Sequence, residues 1–222
     1  MLISAWSAKG GAGTTVVTVG LAAALADRSG DDVLLVDLAG DLPATMGLSE
    51  PSTGLTDWMV AGPDVTLDAL ARVEIPTPIR KVQLLPLGGG LGWTPERMGA
   101  LVGLLAADRR ILVVDAGMLS RLEGDRVGLG EAVTARADVS LLVTRACYLA
   151  LRRAMKLGRR PDGVVVVREN GRALDGGDVQ RLLDAPVVAR VDIDPAVARL
   201  VDSGLLASRP PRGLTRPLRR VA

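Results

Sequence analysis

The segment SAKGGAGTT at residues 7–15 contains the residue types that bind phosphate. It follows an apolar stretch and precedes small and aliphatic residues, so a strand, a glycine-rich turn and a helix are expected in that order. Gly10, Gly11 and Gly13 would let backbone N–H groups converge on phosphate oxygens, and the dipole of a helix beginning at Thr15 favours an anion there. The hydroxyl of Thr15 is also the group expected to bind Mg²⁺. The segment therefore predicts a phosphate site for a nucleotide.

The same segment departs from the pattern G-x-x-x-x-G-K-[ST], because Ala8 replaces the first glycine and Thr14 replaces the lysine. A threonine hydroxyl supplies no positive charge, so we expect nucleotide affinity and hydrolysis to be weakened. A lysine stands five residues earlier, at Lys9, in a chain with only three lysines. Two interpretations follow: Lys9 makes the loop a working site of a special kind, or the loop has lost its activity.

Two aspartates end apolar stretches that are predicted to be strands. Asp37 ends VLLVD, and Asp115 ends ILVVD before a small glycine-containing turn. A carboxylate in the second setting can hold a magnesium ion through water. We predict Thr15, Asp37 and Asp115 as metal-binding residues and Asp37 and Asp41, with Lys9, as catalytic residues. Each aspartate taken alone is also compatible with a simple role in capping a strand end.

Composition excludes several kinds of chemistry. The chain has no histidine, so no histidine can act as a base, nucleophile or metal ligand. Its single cysteine cannot form an internal disulfide. The apolar stretches fall short of the roughly 18 residues that span a bilayer, and the initial MLISAW has no positive charge before its apolar residues. A cytoplasmic protein is expected.

Short runs of Val, Ile and Leu alternate with longer segments of helical character. Most runs lack polar alternation, which is typical of strands buried on both faces of a parallel sheet. We therefore predict an α/β fold with a single doubly wound, mostly parallel sheet flanked by helices, and with ligands beyond the carboxyl ends of the strands. A domain of residues 1–208 would be followed by an arginine- and proline-rich tail, 209–222, which we expect to be poorly ordered. Strands are predicted at residues 2–6, 33–38, 82–86, 111–115, 139–144, 164–168 and 187–191, and helices at 15–27, 95–107, 130–136, 148–158, 178–183 and 195–203.

Several motifs together resemble those of one family. AKGGAGTT resembles the deviant Walker A motif of the ParA/MinD family of P-loop ATPases, K-G-G-x-G-K-[ST]-T, with Lys9 at the family's signature lysine. DDVLLVDLAGD resembles the switch segment, RRILVVDAG the Walker B strand, and APVVARVDIDPAVARLVDSG the late strand, adenine-side loop and helix. With ADVSLLVTRACYLALRRA, the likeness extends from Met1 to about Gly204. The switch segment often carries Asp-x-Asp, so its second carboxylate is missing here unless Asp41 takes that place.

The resemblance implies an ATP-dependent homodimer with ATP or ADP and Mg²⁺ as cofactors. The family's signature lysine reaches across the interface to the partner's phosphates, and Lys9 would have that role here. Because Thr14 replaces the lysine that serves the subunit's own nucleotide, hydrolysis is expected to be slow or absent. The residues expected to bind the nucleotide are Lys9, Gly10, Gly11, Ala12, Gly13, Thr14, Thr15, Arg168, Asp194 and Pro195.

The function implied by the resemblance is a switch that positions or partitions a cellular cargo, such as a chromosome or plasmid, a division site, or polar pilus or secretion machinery. A loop that keeps the first lysine and lacks the second is similar to the TadZ/CpaE-like branch, and to septum-site-determining relatives in actinobacteria. Two alternatives are a pseudo-ATPase scaffold with no nucleotide cycle and, less favoured, a small-molecule ATP-dependent synthetase. The synthetase is less favoured because the sequence shows no group of polar substrate-binding residues beyond the phosphate site.

Charge is unevenly distributed along the chain. Residues 1–80 hold four basic and ten acidic side chains, and residues 81–222 hold 23 and 15, so the two parts have net charges of −6 and +8. The second part is expected to face an anion. A basic stripe on and after the helix 148–158 is the candidate surface for nonspecific duplex DNA or an acidic protein, or is a solvated helix face. Its residues are Arg152, Arg153, Lys156, Arg159 and Arg160.

Membrane binding through the tail is not expected. The tail contains Pro210, Pro211 and Pro217 and few bulky apolar residues. It therefore lacks the pattern of an amphipathic helix that lies in a membrane surface.

Overall fold

The computed structural model describes residues 1–62, 66–119 and 125–221, with the backbone alone for 125–127. Its strands are β1 Leu2–Ser7, β2 Val33–Asp37, β3 Ile75–Pro76, β4 Val82–Leu85, β5 Ile111–Met118, β6 Val139–Arg145, β7 Gly163–Arg168 and β8 Val187–Asp192. Its helices are α1 Thr14–Ser29, α2 Leu42–Met46, α3 Leu55–Val60, α4 Leu67–Ala71, α5 Pro95–Ala107, α6 Asp125–Arg136, α7 Tyr148–Leu157, α8 Gly176–Leu183, α9 Pro195–Asp202 and α10 Arg212–Leu218.

The strands form one sheet in the order β3-β4-β2-β5-β1-β6-β7-β8. Neighbouring strands are parallel except for the short edge strand β3, which pairs antiparallel with β4. After β1 the chain forms β2, β3 and β4 on one side of the sheet and returns through β5, which lies between β2 and β1. It then continues on the other side through β6, β7 and β8, so β1 and β5 are the central strands. The predicted doubly wound α/β fold is confirmed, and the predicted strands and helices are all present, α5 with the predicted ends and the others with shifted ends. The elements β3, α2, α3, α4 and α10 were not predicted.

Alternate residues of the central strands face opposite sides of the sheet. Ile3 of β1 and Val113 of β5 pack in one buried cluster with side chains of α1, including Leu21. Their neighbours Leu2 and Leu112 belong to the cluster under α5 and α6 on the other side. Burial on both faces explains why these strands are continuously apolar in sequence.

The carboxyl-terminal tail is ordered, which corrects the expectation of a poorly ordered segment. Pro211 precedes α10, and Leu214 and Leu218 of that helix are 1% and 0% exposed. These leucines, four residues apart, lie on the same face of α10 and pack on α1. Gly20 of α1 makes room for Leu214, because a Cβ there would lie 2.6 Å from Cγ of Leu214. Whether the tail counts as separate from a 1–208 domain stays a prediction.

Within the described ranges, no helix combines the length and the hydropathy needed to cross a bilayer.

Candidate nucleotide site

The glycine-rich loop links β1 to α1 at the carboxyl edge of the sheet. Gly11 and Gly13 have φ values of 73° and 89°, in the left-handed region that favours glycine. Gly13 is the N-cap of α1, and no side chain caps this helix. The N–H groups of the first turn are therefore available to an anion. They face a cavity of about 480 Å³, which residues 10–16 line together with the residues that follow β2 and the end of β5.

Asp115 lies beside this cavity with one carboxylate oxygen unsatisfied. Its Oδ1 accepts a hydrogen bond from the N–H of Gly117 at 3.0 Å, whereas its Oδ2 is buried without a hydrogen-bond partner. Burial raises the pKa of Asp115 to about 7, with the charges of Asp37 and Asp41 acting in the same direction and the Thr15 hydroxyl opposing it. A buried oxygen without a partner, next to a hydroxyl, fits a divalent cation that prefers oxygen ligands. The structure thus brings the predicted metal-binding residues Thr15 and Asp115 together.

Asp37 is the register partner of Asp115 on the neighbouring strand, and both carboxylates are fully buried. Its Oδ1 accepts from the N–H groups of Ala39 and Gly40 at 3.0 and 2.7 Å, and its Oδ2 accepts from Leu42 at 3.1 Å. Burial raises the pKa of Asp37 to about 6 although these donors favour the charged form. Asp37 thus holds the segment after β2 in place, which is the strand-end capping role that the sequence left open as an alternative. Its metal-binding and catalytic roles stay predictions.

Of the two other predicted catalytic residues, Asp41 lines the phosphate cavity and Lys9 does not. Asp41 is an exposed residue that lines the phosphate cavity just before α2. Lys9 does not line this cavity, and its Nζ donates to the carbonyl of Gly10 at 3.3 Å in an exposed position. The catalytic roles of both residues stay predictions.

A second cavity, of about 710 Å³, contains the residues predicted for the base side of a nucleotide, Arg168, Asp194 and Pro195. It lies beyond the ends of β7 and β8. Arg168 is engaged there in a bidentate ion pair, with Nε and Nη2 at 2.6 and 2.8 Å from the carboxylate oxygens of Asp192. Asp194 caps α9 by accepting from the N–H of Ala196 at 2.7 Å. The sequence pattern did not reveal the Arg168–Asp192 pair, because its members are 24 residues apart.

The two cavities are neighbours at the same edge of the sheet. Gly13 of the phosphate loop faces the end of β7, since a Cβ on Gly13 would lie 3.8 Å from Cγ2 of Val167. One cavity begins at the loop on one side of this contact, and the other begins at Val166 and Arg168. A nucleotide with phosphates at the loop could therefore place its base near Arg168.

The predicted basic stripe is shorter than expected. Arg152, Arg153 and Lys156 are exposed on α7, but this helix ends at Leu157. Gly158 has a φ of 67° and turns the chain away from the helical path, so Arg159 and Arg160 do not continue the stripe. Arg160 forms an ion pair with Asp184, with 3.0 Å between Nη2 and Oδ2. A second group of arginines, not recognised as a surface from the sequence, is exposed on and next to α10: Arg212, Arg216, Arg219 and Arg220.

A parallel sheet whose central strand leads through a glycine-rich loop into a helix, with carboxylates ending the adjacent strands, defines a P-loop nucleotide-binding fold. More particularly, the chain belongs to the family described as the CobQ/CobB/MinD/ParA nucleotide binding domain, whose model matches residues 3–207. The ParA/MinD resemblance is thereby confirmed at the level of the family. A search of curated proteins finds no significant match.

Solved structures support the same fold. A ParA family ATPase from Chlorobium tepidum TLS is similar over 98% of this chain and 95% of its own, with a TM-score of 0.77 and 20% identity. The MinD cell division protein of Aquifex aeolicus is similar over 100% and 96%, with a TM-score of 0.78 and 18% identity. The septum site-determining protein MinD of Pyrococcus horikoshii OT3, complexed with Mg-ADP, is similar over 99% and 93%, with a TM-score of 0.76 and 19% identity.

Proposed function

We propose that this protein is an ATP-binding switch that dimerises with nucleotide bound and positions or partitions a cellular cargo, with weak or absent hydrolysis. The observation that carries the proposal is the uncapped N-terminus of α1 beside the unsatisfied Oδ2 of Asp115. The first feature suits phosphate oxygens, and the second suits the Mg²⁺ that accompanies them.

Each residue of the candidate site has a proposed role in nucleotide binding. The N–H groups at the start of α1 bind phosphate oxygens, and Thr15 and Asp115 hold Mg²⁺, which neutralises phosphate charge when bound. Asp37 keeps the segment from Leu38 to Leu42 at the mouth of the cavity through its three N–H···O bonds. Arg168 and the turn before α9 face the base.

Slow turnover is proposed because the described lining of the phosphate cavity lacks a positively charged side chain, which phosphoryl transfer uses. In the described part of the chain, no lysine or arginine lines it, and Thr14 stands where a lysine would contact the β- and γ-phosphates. Positive groups aimed at the developing phosphoryl charge supply much of the rate enhancement in such sites. Asp41 is the exposed carboxylate in the cavity that is available to orient a water molecule.

The cargo is proposed from the relatives. The similar structures include a ParA family ATPase and MinD proteins described by cell division and septum-site determination. A TadZ/CpaE-like or septum-site role is the narrower proposal, and it rests on the loop that has Lys9 without a lysine at position 14.

Two other functions remain as alternatives. A scaffold without a nucleotide cycle would use the same fold and leave the cavity unused. A small-molecule synthetase would need a polar substrate site in addition to the phosphate loop, and the charged cavity at Arg168 is the candidate for it.

Titration calorimetry with ATP and Mg²⁺, combined with turnover assays, tests the proposal. We expect the wild type to bind ATP and turn it over slowly, Asp115→Asn to weaken Mg²⁺-dependent binding, and Thr14→Lys to tighten binding. Asp202→Asn, which changes an exposed carboxylate on α9, is the matched control. If neither the wild type nor Thr14→Lys binds ATP at millimolar concentration, the switch is wrong and the scaffold is favoured.

A further inference from the structure

A cavity of about 380 Å³ lies between the end of α1, the start of α10 and the turn that precedes β4. Its charged lining residues are three arginines and one aspartate, Arg80, Arg212, Arg219 and Asp27, which give it a net charge of +2. Among the described residues, none lines both this arginine cavity and the phosphate cavity. The arginine cavity is found where α1 ends, whereas the phosphate loop is found where α1 begins.

The part of the lining that α10 contributes comes from one face of that helix. Arg212, Thr215 and Arg219 follow one another at i, i+3 and i+7, a spacing that places side chains on the same side. Arg219 forms an ion pair with Asp27 of α1, and its carbonyl accepts a hydrogen bond from Nη1 of Arg28 at 2.8 Å. These contacts hold the helix face and one guanidinium group against α1.

The turn that carries Arg80 is fixed by its own contacts. The hydroxyl of Thr77 donates to the carbonyl of Val82 at 2.8 Å and so closes the turn. Lys81 has a φ of 64°, in the left-handed region that is costly for a residue with a Cβ, and its Nζ donates to the carbonyl of Gly30 just after α1. Arg80 is therefore presented to the cavity by a turn that is tied to the end of α1.

Two of the three guanidinium groups have no carboxylate partner. Asp27 pairs with Arg219, but neither Arg80 nor Arg212 forms an ion pair with any residue that the structure describes. Like charges that line one concave surface raise its positive potential and attract an anion. The planar donor fork of arginine matches the oxygens of a phosphate or a carboxylate. The cavity therefore has the donors of an anion site without an anionic group of its own for two of them.

We propose that the arginine cavity binds a small molecule that carries a phosphomonoester, with the phosphate between Arg80 and Arg212. A phosphomonoester has about −1.5 to −2 charges near pH 7, which balances the net charge of the lining. The cavity volume lies within the range of about 300–1,000 Å³ that is usual for small-molecule sites. It leaves room for an organic part, which would lie against the half-buried Ile79 and Pro210. The inference goes beyond the proposed function and does not depend on the ATP site.

A compact phosphomonoester suits this cavity better than duplex DNA does. Each DNA phosphate carries a single negative charge and lies on the convex outside of the duplex. A concave lining instead lets several guanidinium groups reach one doubly charged phosphate. Because the ligand would contact α10 and the turn before β4 at once, its binding should stabilise the docked carboxyl-terminal helix.

The experiment is titration calorimetry with phenyl phosphate, a monoester with an apolar body, combined with hydrogen exchange measured by mass spectrometry. We expect saturable binding at millimolar concentration and slower exchange in residues 77–82 and 209–219. Diphenyl phosphate, a diester with one charge, should bind at least about fivefold more weakly. Slower exchange confined to residues 9–15 would show that phosphate binds at the phosphate loop only, and would overturn the inference.

Two double variants with the same change in net charge locate the site. Arg80→Ala/Arg212→Ala should weaken phenyl phosphate binding by about tenfold for each guanidinium group removed. Arg153→Ala/Arg199→Ala, which removes exposed cations from α7 and α9, should bind it as the wild type does. All four side chains are exposed, so both variants should unfold at the same urea concentration as the wild type. Equal weakening in the two variants would reduce the effect to net charge and contradict the site.

A third variant should strengthen binding. Asp27→Asn removes the carboxylate that neutralises Arg219, so we expect phenyl phosphate to bind about fivefold more tightly. Weaker or unchanged binding would count against phosphate recognition by these guanidinium groups.

The remaining outcomes separate this inference from the proposed function. ATP binding should be the same in the wild type and in Arg80→Ala/Arg212→Ala, because the arginine cavity is not part of the nucleotide site. If the wild type binds ATP but not phenyl phosphate at millimolar concentration, the inference is wrong and the proposed function stands. If it binds phenyl phosphate in the arginine cavity but not ATP, the reverse holds. Duplex DNA that binds through Arg80 and Arg212 and is not displaced by phenyl phosphate would replace the small molecule as the ligand.

Discussion

At the scale of single residues, Thr14 and Asp115 give the candidate site its character. Thr14 is buried in the first turn of α1, where its carbonyl accepts a hydrogen bond from the hydroxyl of Thr18 at 2.9 Å. It completes the helix but adds no charge to the cavity. Asp115 contributes a buried carboxylate whose Oδ2 has no hydrogen-bond partner. The proposed site therefore has a carboxylate that suits a cation and a threonine at position 14 in place of a lysine.

The raised pKa values of Asp115 and Asp37 predict how stability depends on pH without nucleotide or divalent cation. Burial raises these pKa values to about 7 and about 6, from 3.8 in each case. At pH values between the unfolded and the folded pKa, these two carboxyl groups hold protons in the folded protein that the unfolded chain releases. Their contribution to the free energy of unfolding therefore falls as pH rises from about 4 to about 7. Urea unfolding at a series of pH values should show this decline, and Asp115→Asn should make it shallower.

Asp202→Asn serves as the control for this measurement, because Asp202 is exposed on α9. It should show the same decline with pH as the wild type. If the Asp115→Asn profile is as steep as that of the wild type, the buried Asp115 does not hold a proton in the folded protein.

At the scale of elements, α1 connects the candidate site to the end of the chain. Its first turn forms part of the phosphate cavity, and its middle packs on α10 through Gly20. Near its end, the side chain of Arg28 donates to the carbonyl of Arg219 at 2.8 Å, and Asp27 forms an ion pair with Arg219. The tail therefore helps to hold the helix on which the phosphate loop depends.

Leu214→Ala tests whether the tail is part of the folded core. Removing a buried leucine side chain typically costs about 2–5 kcal/mol, and Leu214 is 1% exposed. We expect a loss of this size in the free energy of unfolding measured with urea. Arg212→Ala, on the exposed side of α10, should change it by less than about 0.5 kcal/mol. An unaffected Leu214→Ala protein would support the poorly ordered tail that the sequence suggested.

At the scale of the whole molecule, the exposed cations of α7 and α10 do not line the phosphate cavity. The two cavities of the candidate nucleotide site lie at the carboxyl edge of the sheet, whereas the arginines around α10 lie near the end of α1, which is roughly 24 Å from its start. The cations of α7 form a third region. Two basic surfaces, on α7 and around α10, thus contribute to the net charge of +8 of residues 81–222.

Binding of duplex DNA is the proposed test of the α7 surface. Replacing Arg152 and Lys156 together by alanine should weaken retention of DNA and reduce its salt dependence. The slope of log K against log salt should become shallower by about 0.9 for every DNA phosphate that the variant no longer neutralises. The measurement is fluorescence anisotropy with labelled duplex at several salt concentrations.

The double variant Arg216→Ala/Arg220→Ala makes the same change in net charge at the α10 end. If it weakens DNA binding as much as the α7 variant does, α7 is not a specific surface and net charge alone accounts for retention. If neither variant has an effect, DNA is excluded as the ligand of both surfaces.

The sequence alone determined the parallel sheet, the phosphate loop and the positions of Asp37 and Asp115 at strand ends, and the structure showed that these two strands are neighbours. Uninterrupted apolar runs and glycine spacing are local properties, and parallel strands place their carboxyl ends at one edge. The family resemblance added the prediction that Lys9 acts on a partner's nucleotide.

Tertiary structure decided what depends on segments distant in sequence. Leu214 and Leu218 order the tail by packing on α1, where Gly20, far away in the chain, leaves space for Leu214. The sequence also did not reveal three other features: the three N–H groups that donate to Asp37, the ion pair of Arg168 with Asp192, and the position of Lys9 outside the lining of the phosphate cavity. Local sequence pattern predicts the helix or strand to which a residue belongs. Contacts between elements decide which polar groups have hydrogen-bond or ion-pair partners, and therefore which charged side chains line the phosphate cavity.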